Sequence, residues 1–432
     1  MNEAGSIAQE MMARLARPVA VWGHGRSGRG VCRLLAARGL EAVVYDASDP
    51  LADHSTFGPQ EAAGHDLVVT SPGFSPDHPW FAVARQAGCE CLGEIDFAAL
   101  FWKGPIVAVT GTNGKTTLTE FLTYALGLAG RQAVAVGNIG SAFTRTAACV
   151  TDPETTAVCE VSSFQAETLR ILTADWTLWT NFAEDHLERH GTLVDYFRAK
   201  QNLVDRTPAG HAFYGPGVLA FSDEHGLGLD PAGLVAAAPE GMGDLAAGTA
   251  FQSGPQHGNF VLAAAWWRRQ GLPDKVLREA LCSFRIGRHR LSQVGSIDGI
   301  DFWNDSKATN FHACEAAIST FADPVLWIGG GKSKGGDFEG FVSRIAPRIR
   351  HAVLLGETAP LLLGLLAQKG VSARIVGDLD EAVRDCLSRA RPGDTVLLSP
   401  AFSSLDMFQS YEERGEQFCA LVQQQLRQAM SC

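Results

Sequence analysis

PIVAVTGTNGKTTLTEFLTYALGLAG, residues 105–130, is the stretch whose reading decides the fold. An apolar run enters Gly111-Thr112-Asn113-Gly114-Lys115-Thr116-Thr117, and LTEFLTYAL then reads as a helix. A continuous apolar strand feeding a glycine turn and a helix is the repeating unit of a parallel sheet covered on both faces. In such a turn glycines let backbone N–H groups curl around a phosphate, and the helix N-terminus adds partial positive charge. Lys115 reaches the terminal phosphates, and the Thr116 hydroxyl is suited to Mg²⁺. The loop is the shortened form GxxGK[ST], with Val109 where the longer pattern has glycine. A chance glycine turn is the bland alternative, and the strand–loop–helix setting favours a nucleoside triphosphate over it.

The same pattern recurs outward in both directions. Apolar runs occur at PVAVWG, AVVYD, DLVVTSPG, TAVCEVSS, DWTLWTN, PVLWIGG, HAVLLGE and DTVLLSP, many ending in Gly, Ser, Asn or Asp. Ligands of parallel sheets bind at the carboxyl ends of the strands, where those small polar residues sit. The reading is α/β in three domains. A Rossmann-like domain covers 1–102, a central P-loop-type ATPase domain with a parallel sheet 103–287, and a C-terminal Rossmann-like domain 288–432. Residues 207–256, rich in Gly, Ala and Pro, read as loops and short strands.

The bulk numbers fit a globular protein. The 432 residues are 46% hydrophobic and 19% charged, with a net charge of −11. That charge offers no general attraction to nucleic acid or to an anionic membrane, so local donors must hold any anionic ligand. Ten cysteines are scattered without CxxC or Cys/His zinc spacing, as expected of reduced thiols. The N-terminus lacks a signal-like apolar core, and PLLLGLLA, residues 360–367, is too short to span a bilayer. The expectation is a cytoplasmic protein without membrane insertion, monomeric by default.

A second glycine turn, Gly23-His24-Gly25-Arg26-Ser27-Gly28, follows PVAVW and precedes Asp46 by 18 residues from its third glycine. This is a dinucleotide fingerprint and raises the reading of a nicotinamide oxidoreductase. That reading explains residues 19–46 and leaves Lys115 unused.

GTNGKTT resembles the ATP loop of the Mur ligase family, amide-forming enzymes of peptidoglycan precursor synthesis and cell wall biogenesis. The similarity continues in order through VGNIG (136–140), EVSSFQ (160–165), NFAEDHLERH (181–190), FRAK (197–200), NDSKATN (304–310), GGGKSKGGDF (329–338) and LSPAFSSLDMF (398–408). NDSKATN and SPAxxSLDxF most resemble the branch that adds D-glutamate to UDP-N-acetylmuramoyl-L-alanine. The resemblance implies ATP and Mg²⁺, with two metal ions, and the nucleotide-sugar and glutamate as the other substrates.

The resemblance also implies roles. Gly111, Thr112, Asn113, Gly114, Lys115, Thr116, Thr117, Asp305 and Lys307 would meet ATP. Thr116, Glu160, His186 and Lys200 would hold metal, Lys200 as a carbamate formed with CO₂. Taken alone, Glu160 reads equally as a cap or surface acid, His186 as a structural hydrogen-bonder, and Lys200 as a solvated helix lysine. Arg290 matches an arginine near the ATP phosphates and, with Lys115, His186 and Lys200, completes the catalytic set. The UDP-sugar would lie against Gly25, Arg26, Ser27, Asp46, Ser71, Pro72, Gly73 and Asn138. Glutamate would meet Thr309, Lys334, Ser404, Leu405 and Tyr411.

One departure stands out. The family has His-Asn-x-x-Asn at the start of the last central helix, where Asn helps to hold adenine. Here Gly258 and Val261 occupy the two Asn positions of QHGNFV (256–261), and the sequence before it is compressed, as if a β-hairpin were reduced. The expected reaction is acyl-phosphate formation, attack by the glutamate amine and collapse of a tetrahedral intermediate. Domain closure is expected to assemble the site. The rivals are an L-glutamate-adding ligase on the same nucleotide, a folylpolyglutamate-type ligase, and a nucleotide-binding regulator without catalysis.

Overall fold

The computed structural model describes residues 3–429 and contains three sheets. The first has the order β2-β1-β3-β4 and is parallel throughout: β1 (Val19–Trp22), β2 (Ala42–Tyr45), β3 (Leu67–Thr70) and β4 (Glu90–Gly93). The second, also parallel, has the order β6-β7-β5-β8-β9: β5 (Ile106–Thr110), β6 (Ala133–Gly137), β7 (Thr156–Glu160), β8 (Trp176–Trp179) and β9 (Ala212–Tyr214). Every residue of β1 and β5 is buried, which is what continuous apolar strands require when helices cover both faces.

The third sheet has the order β10-β11-β15-β12-β13-β14: β10 (Ser292–Ile297), β11 (Ile300–Asn304), β12 (Val325–Gly330), β13 (Ile349–Leu355), β14 (Ser372–Ile375) and β15 (Thr395–Leu398). Only the β10–β11 pair is antiparallel. Each sheet has a point where the strand order reverses, at β1, β5 and β15. The carboxyl ends there are where such sheets bind ligands, and most of the glycine-rich and polar motifs follow those strands or their neighbours, while VGNIG follows the edge strand β6.

The chain divides into two compact units. One comprises residues 3–182, 194–245 and 260–280; the other comprises 183–193, 246–259 and 281–429. The first two sheets share a unit, and two buried carboxylates show why. Glu94 accepts bonds of 2.6 Å from both the N–H and the hydroxyl of Thr144. Asp96, fully buried, accepts from the backbone N–H groups of Arg170, Ile171 and Leu172. Burial raises both carboxyls above the ordinary range, so neither could remain there without those donors.

Residues 207–256 differ from the sequence expectation. They hold a single strand, β9, and a helix, Val218–Glu224, with single helical turns at Pro231–Gly233 and Gly243–Ala246. A seven-residue helix between glycines spans too few turns to show a periodicity. No helix among the described residues is long and apolar enough to cross a membrane.

Candidate active site

The phosphate loop is pinned from both sides. Gly111 has φ 138°, and a Cβ there would lie 1.9 Å from Thr180 Oγ1, so only glycine fits. Thr180 Oγ1 and Asn181 Nδ2 both donate to Asn113 O, while Asn113 N donates to Asn181 Oδ1. The residues after β8 thus set the loop's shape, a role that the phosphate motif itself does not reveal. Lys115 Nζ folds back onto the carbonyls of Gly111 and Thr112 at 2.8 and 2.9 Å.

Lys200 is the largest departure from its bland reading. It lies in the helix Leu193–Val204 but is only 1% exposed. Its Nζ donates to Gly111 O at 2.9 Å and sits 4.7 Å from the centre of the Tyr196 ring. Glu160 ends β7 and is 2% exposed. Its Oε1 accepts from Asn138 Nδ2, while Oε2 is buried with no hydrogen-bond partner. A buried carboxylate oxygen with no donor is costly alone and is the kind of ligand that a hard cation takes. Thr116 is the second residue of the helix Lys115–Leu128, in the same unit. The Glu160 carboxylate is a donor of the kind Mg²⁺ takes, with Asn138 bonded beside it, whereas Lys200 in its amine form is not a ligand for a cation. His186, the fourth expected member, belongs to the other unit.

In the first sheet, Gly23 takes φ 88° after β1, and the helix Arg26–Ala37 follows. Gly28 packs so close that a Cβ would lie 1.8 Å from Gly23 O. Asp46 Oδ2 accepts from His24 N at 2.7 Å, and its Oδ1 accepts from Ser48. Those bonds hold its carboxyl down at about 2. Ser71 N donates to Trp22 O, and Ser71 Oγ is buried without a partner. Gly25, Arg26, Ser27, Asp46, Ser71, Pro72 and Gly73 thus gather at the carboxyl ends of β1, β2 and β3.

The second unit carries the C-terminal motifs on three adjacent strand ends, after β11, β12 and β15. A cleft with about 360 Å³ of open space lies between Asp185, His186, Thr309, Lys334 and Phe402. Asp185, which the motif reading passed over, is central to it. It accepts from Asn310 Nδ2 at 2.8 Å, and its Oδ1 lies 3.6 Å from Lys334 Nζ. His186 stands in the left-handed region, φ 54°, and burial lowers its imidazole below the ordinary value.

Asp305 accepts from Ser399 Oγ and Leu291 N, yet burial lifts its carboxyl to about 7. Lys307 Nζ lies 3.9 Å above the Tyr411 ring. Arg414, also absent from the sequence candidates, is 3% exposed. Its guanidinium donates to Ser306 Oγ, Ser306 O and Phe402 O, binding the loops after β11 and β15 together. Ser404 is buried on the latter loop, and Leu405 beside it is 64% exposed. Within QHGNFV, Asn259 is buried and donates to Gln256, Val261 is buried, and Gly258 has open space where a Cβ would be. No strand lies between Tyr214 and Ser292 among the described residues, in line with the reduced hairpin.

Comparison with known proteins agrees with this arrangement. Residues 109–224 match the Mur ligase middle domain, and residues 289–402 match the Mur ligase glutamate ligase domain. The chain is 35% identical to the UDP-N-acetylmuramoylalanine--D-glutamate ligase of Frankia casuarinae, over 94% of this chain and 93% of that one. It is 34% identical to the protein of the same name from Shouchella clausii, over 94% and 97%. Among solved structures it is similar to the UDP-N-acetylmuramate-alanine ligase of Thermotoga maritima, with TM-score 0.59, 16% identity and coverage of 94% and 99%. It is also similar to the MurF ligase of that organism in complex with ADP, with TM-score 0.57, 17% identity and coverage of 86% and 97%. With a phosphate loop, an orphaned buried carboxylate oxygen and near full-length kinship, the chain belongs to the Mur ligase family.

Proposed function

We propose that the chain is an ADP-forming ligase that adds D-glutamate to UDP-N-acetylmuramoyl-L-alanine in peptidoglycan precursor synthesis. The observation that carries this reading is the similarity, over 94% of the chain, to relatives named for that activity. The reading gives each crevice a ligand. The first sheet takes the UDP-sugar at Gly25–Ser27, Asp46 and Ser71–Gly73. The second sheet takes the triphosphate at Gly111–Thr117. The third takes glutamate at Thr309 and Lys334, with Ser404 and Leu405 on the loop after β15 and Tyr411 at the start of the following helix. On this reading the chain would divide near residues 102 and 287, one ligand to each domain.

The chemistry must make a poor electrophile reactive, because an alanine carboxylate has an oxide leaving group. Transfer of the ATP γ-phosphoryl group to that carboxylate gives ADP and an acyl phosphate. The glutamate amine then attacks, and the tetrahedral intermediate collapses to amide and phosphate. Lys115 and Arg290 would offset the negative charge during transfer, and Asp305 and Lys307 would hold the nucleotide. Glu160, Thr116, His186 and carbamylated Lys200 would hold Mg²⁺, which when bound supplies charge neutralisation at the phosphates. The carbamate forms when the neutral Lys200 amine adds to CO₂, making an N–C bond and releasing one proton. The Lys200 environment supports it, since two ammonium groups share one carbonyl oxygen there.

The test is an ADP-release assay with ATP, Mg²⁺ and UDP-N-acetylmuramoyl-L-alanine, offering D-glutamate, L-glutamate or other amino acids in turn. Release that requires the nucleotide and D-glutamate is expected. Release indifferent to the muramoyl nucleotide would sink the reading, and faster turnover with L-glutamate would move it to the other handedness.

A further inference from the structure

Two non-glycine residues flanking Arg290 occupy left-handed backbone conformations, His289 at φ 64° and Leu291 at φ 48°. That region crowds Cβ against the following carbonyl and is rare outside glycine and asparagine. Two such residues within three positions persist only where the surroundings over-determine them.

The surroundings do so at both flanks. The His289 carbonyl accepts from Lys307 N at 3.0 Å, and Leu291 N donates to Asp305 Oδ1 at 3.0 Å. The His289 ring is buried, and its Nδ1 accepts from Asn304 Nδ2 at 2.9 Å. Asn304 Nδ2 also donates to Gly415 O at 2.9 Å. The ring fills the space that a side chain at 415 would need, since a Cβ on Gly415 would lie 2.2 Å from His289 Nδ1. Gly415 stands inside the helix Tyr411–Ala429, where glycine weakens a helix. The seated ring accounts for it.

We propose that His289, seated against Gly415, is a positioning residue that holds Arg290 through the strained kink and so aims its guanidinium for phosphoryl transfer. This rests on the role given to Arg290 in the ligase reaction. Aim matters because a displacement of an ångström at a reacting group can cost a hundredfold in rate.

The test compares Arg290→Ala, Gly415→Ala, the double variant of the two, and His289→Gly/Gly415→Ala. Each is assayed for kcat, KM and melting temperature. Gly415→Ala, which displaces the ring, is expected to lose roughly 100-fold in kcat with little change in KM for any substrate. The double variant with Arg290→Ala is expected to be no slower than the slower single variant, because both changes remove one guanidinium's contribution. In His289→Gly/Gly415→Ala the clash is gone, so the melting temperature recovers, while kcat stays low because a glycine at 289 no longer fixes the kink. Losses that multiply in the double variant would overturn the proposal, as would a kcat that recovers together with the melting temperature. A wild-type protein without glutamate-dependent ADP release would instead refute the ligase reading and this proposal with it.

Discussion

Lys115 and Lys200 converge on one acceptor, the carbonyl oxygen of Gly111, at 2.8 and 2.9 Å. The two ammonium nitrogens are therefore less than about 6 Å apart, close enough for like charges to disfavour each other. The loop holds two cations where it is to receive an anion. Lys115 is half-buried at the start of a helix and can turn towards a phosphate; Lys200 is enclosed and cannot follow it.

Converting Lys200 to a carbamate reverses the sign of its charge and relieves that repulsion. With ¹³CO₂ the wild-type protein is expected to show a carbamate carbon resonance that Lys200→Arg lacks. The same variant, which keeps the positive charge, should lose roughly 100-fold or more in kcat. A wild-type spectrum without the resonance would contradict the assignment.

Lys115→Ala removes a side chain that bonds two carbonyls of its own loop, Gly111 O and Thr112 O. Its melting temperature should stay within a few degrees of wild type, while turnover falls by about 100-fold or more. Near-normal ADP release would refute its phosphate role.

Glu160→Gln separates metal binding from folding. Oε2 has no donor, so replacing the carboxylate by an amide removes a buried charge at little structural loss. Unchanged or slightly raised thermal stability is expected, with a Mg²⁺ requirement raised about tenfold or more in a titration of activity against the metal. An unchanged Mg²⁺ requirement would contradict the placement.

Asp305 makes stability depend on pH. Its carboxyl is raised by burial to about 7 in the folded chain, against an ordinary value of 3.8. The protonated form is thus favoured by folding. This contribution is fully present below pH 3.8 and is lost as pH rises through about 7. Asp305→Asn should flatten the fall in melting temperature between pH 5 and pH 8, a difference on the order of a few kcal/mol. A variant whose pH profile parallels wild type would show that the carboxyl does not titrate there.

The interior of each sheet could be read from the chain because continuous apolar runs mark buried parallel strands. β1, β5, β7, β12 and β15 all lie where such runs stand. The strands that escaped notice are mostly at edges. β4, β6, β9 and β14 each end a sheet; charged residues break up β4 (ECLG) and β14 (SARI), while β9 (AFY) is only three residues long and β6 (AVAVG) carries small side chains. The β10–β11 hairpin had a signal that went unused, the dipeptide Asp298-Gly299 with φ 50° and 78°, as a two-residue hairpin turn requires. Contiguous motifs such as Gly111–Thr117 were legible for the same local reason. Asp185 and Arg414 were not, since each acquires its role from partners distant in the chain. Arg414 reaches Ser306 across 108 positions, and no local pattern announces such a bond.

The second compact unit does not coincide with one continuous stretch of chain, because it takes residues 183–193 and 246–259 along with those from 281 onward. An expression fragment cut at 281 leaves behind Asp185, and with it the acceptor of the Asn310 amide and the acidic neighbour of Lys334. Chimaeras between relatives joined at that single junction would pair a basic group from one parent with an acidic group from the other. The exchangeable piece of this enzyme is a set of three segments, and recombination that respects all three keeps the cleft around Asp185 intact.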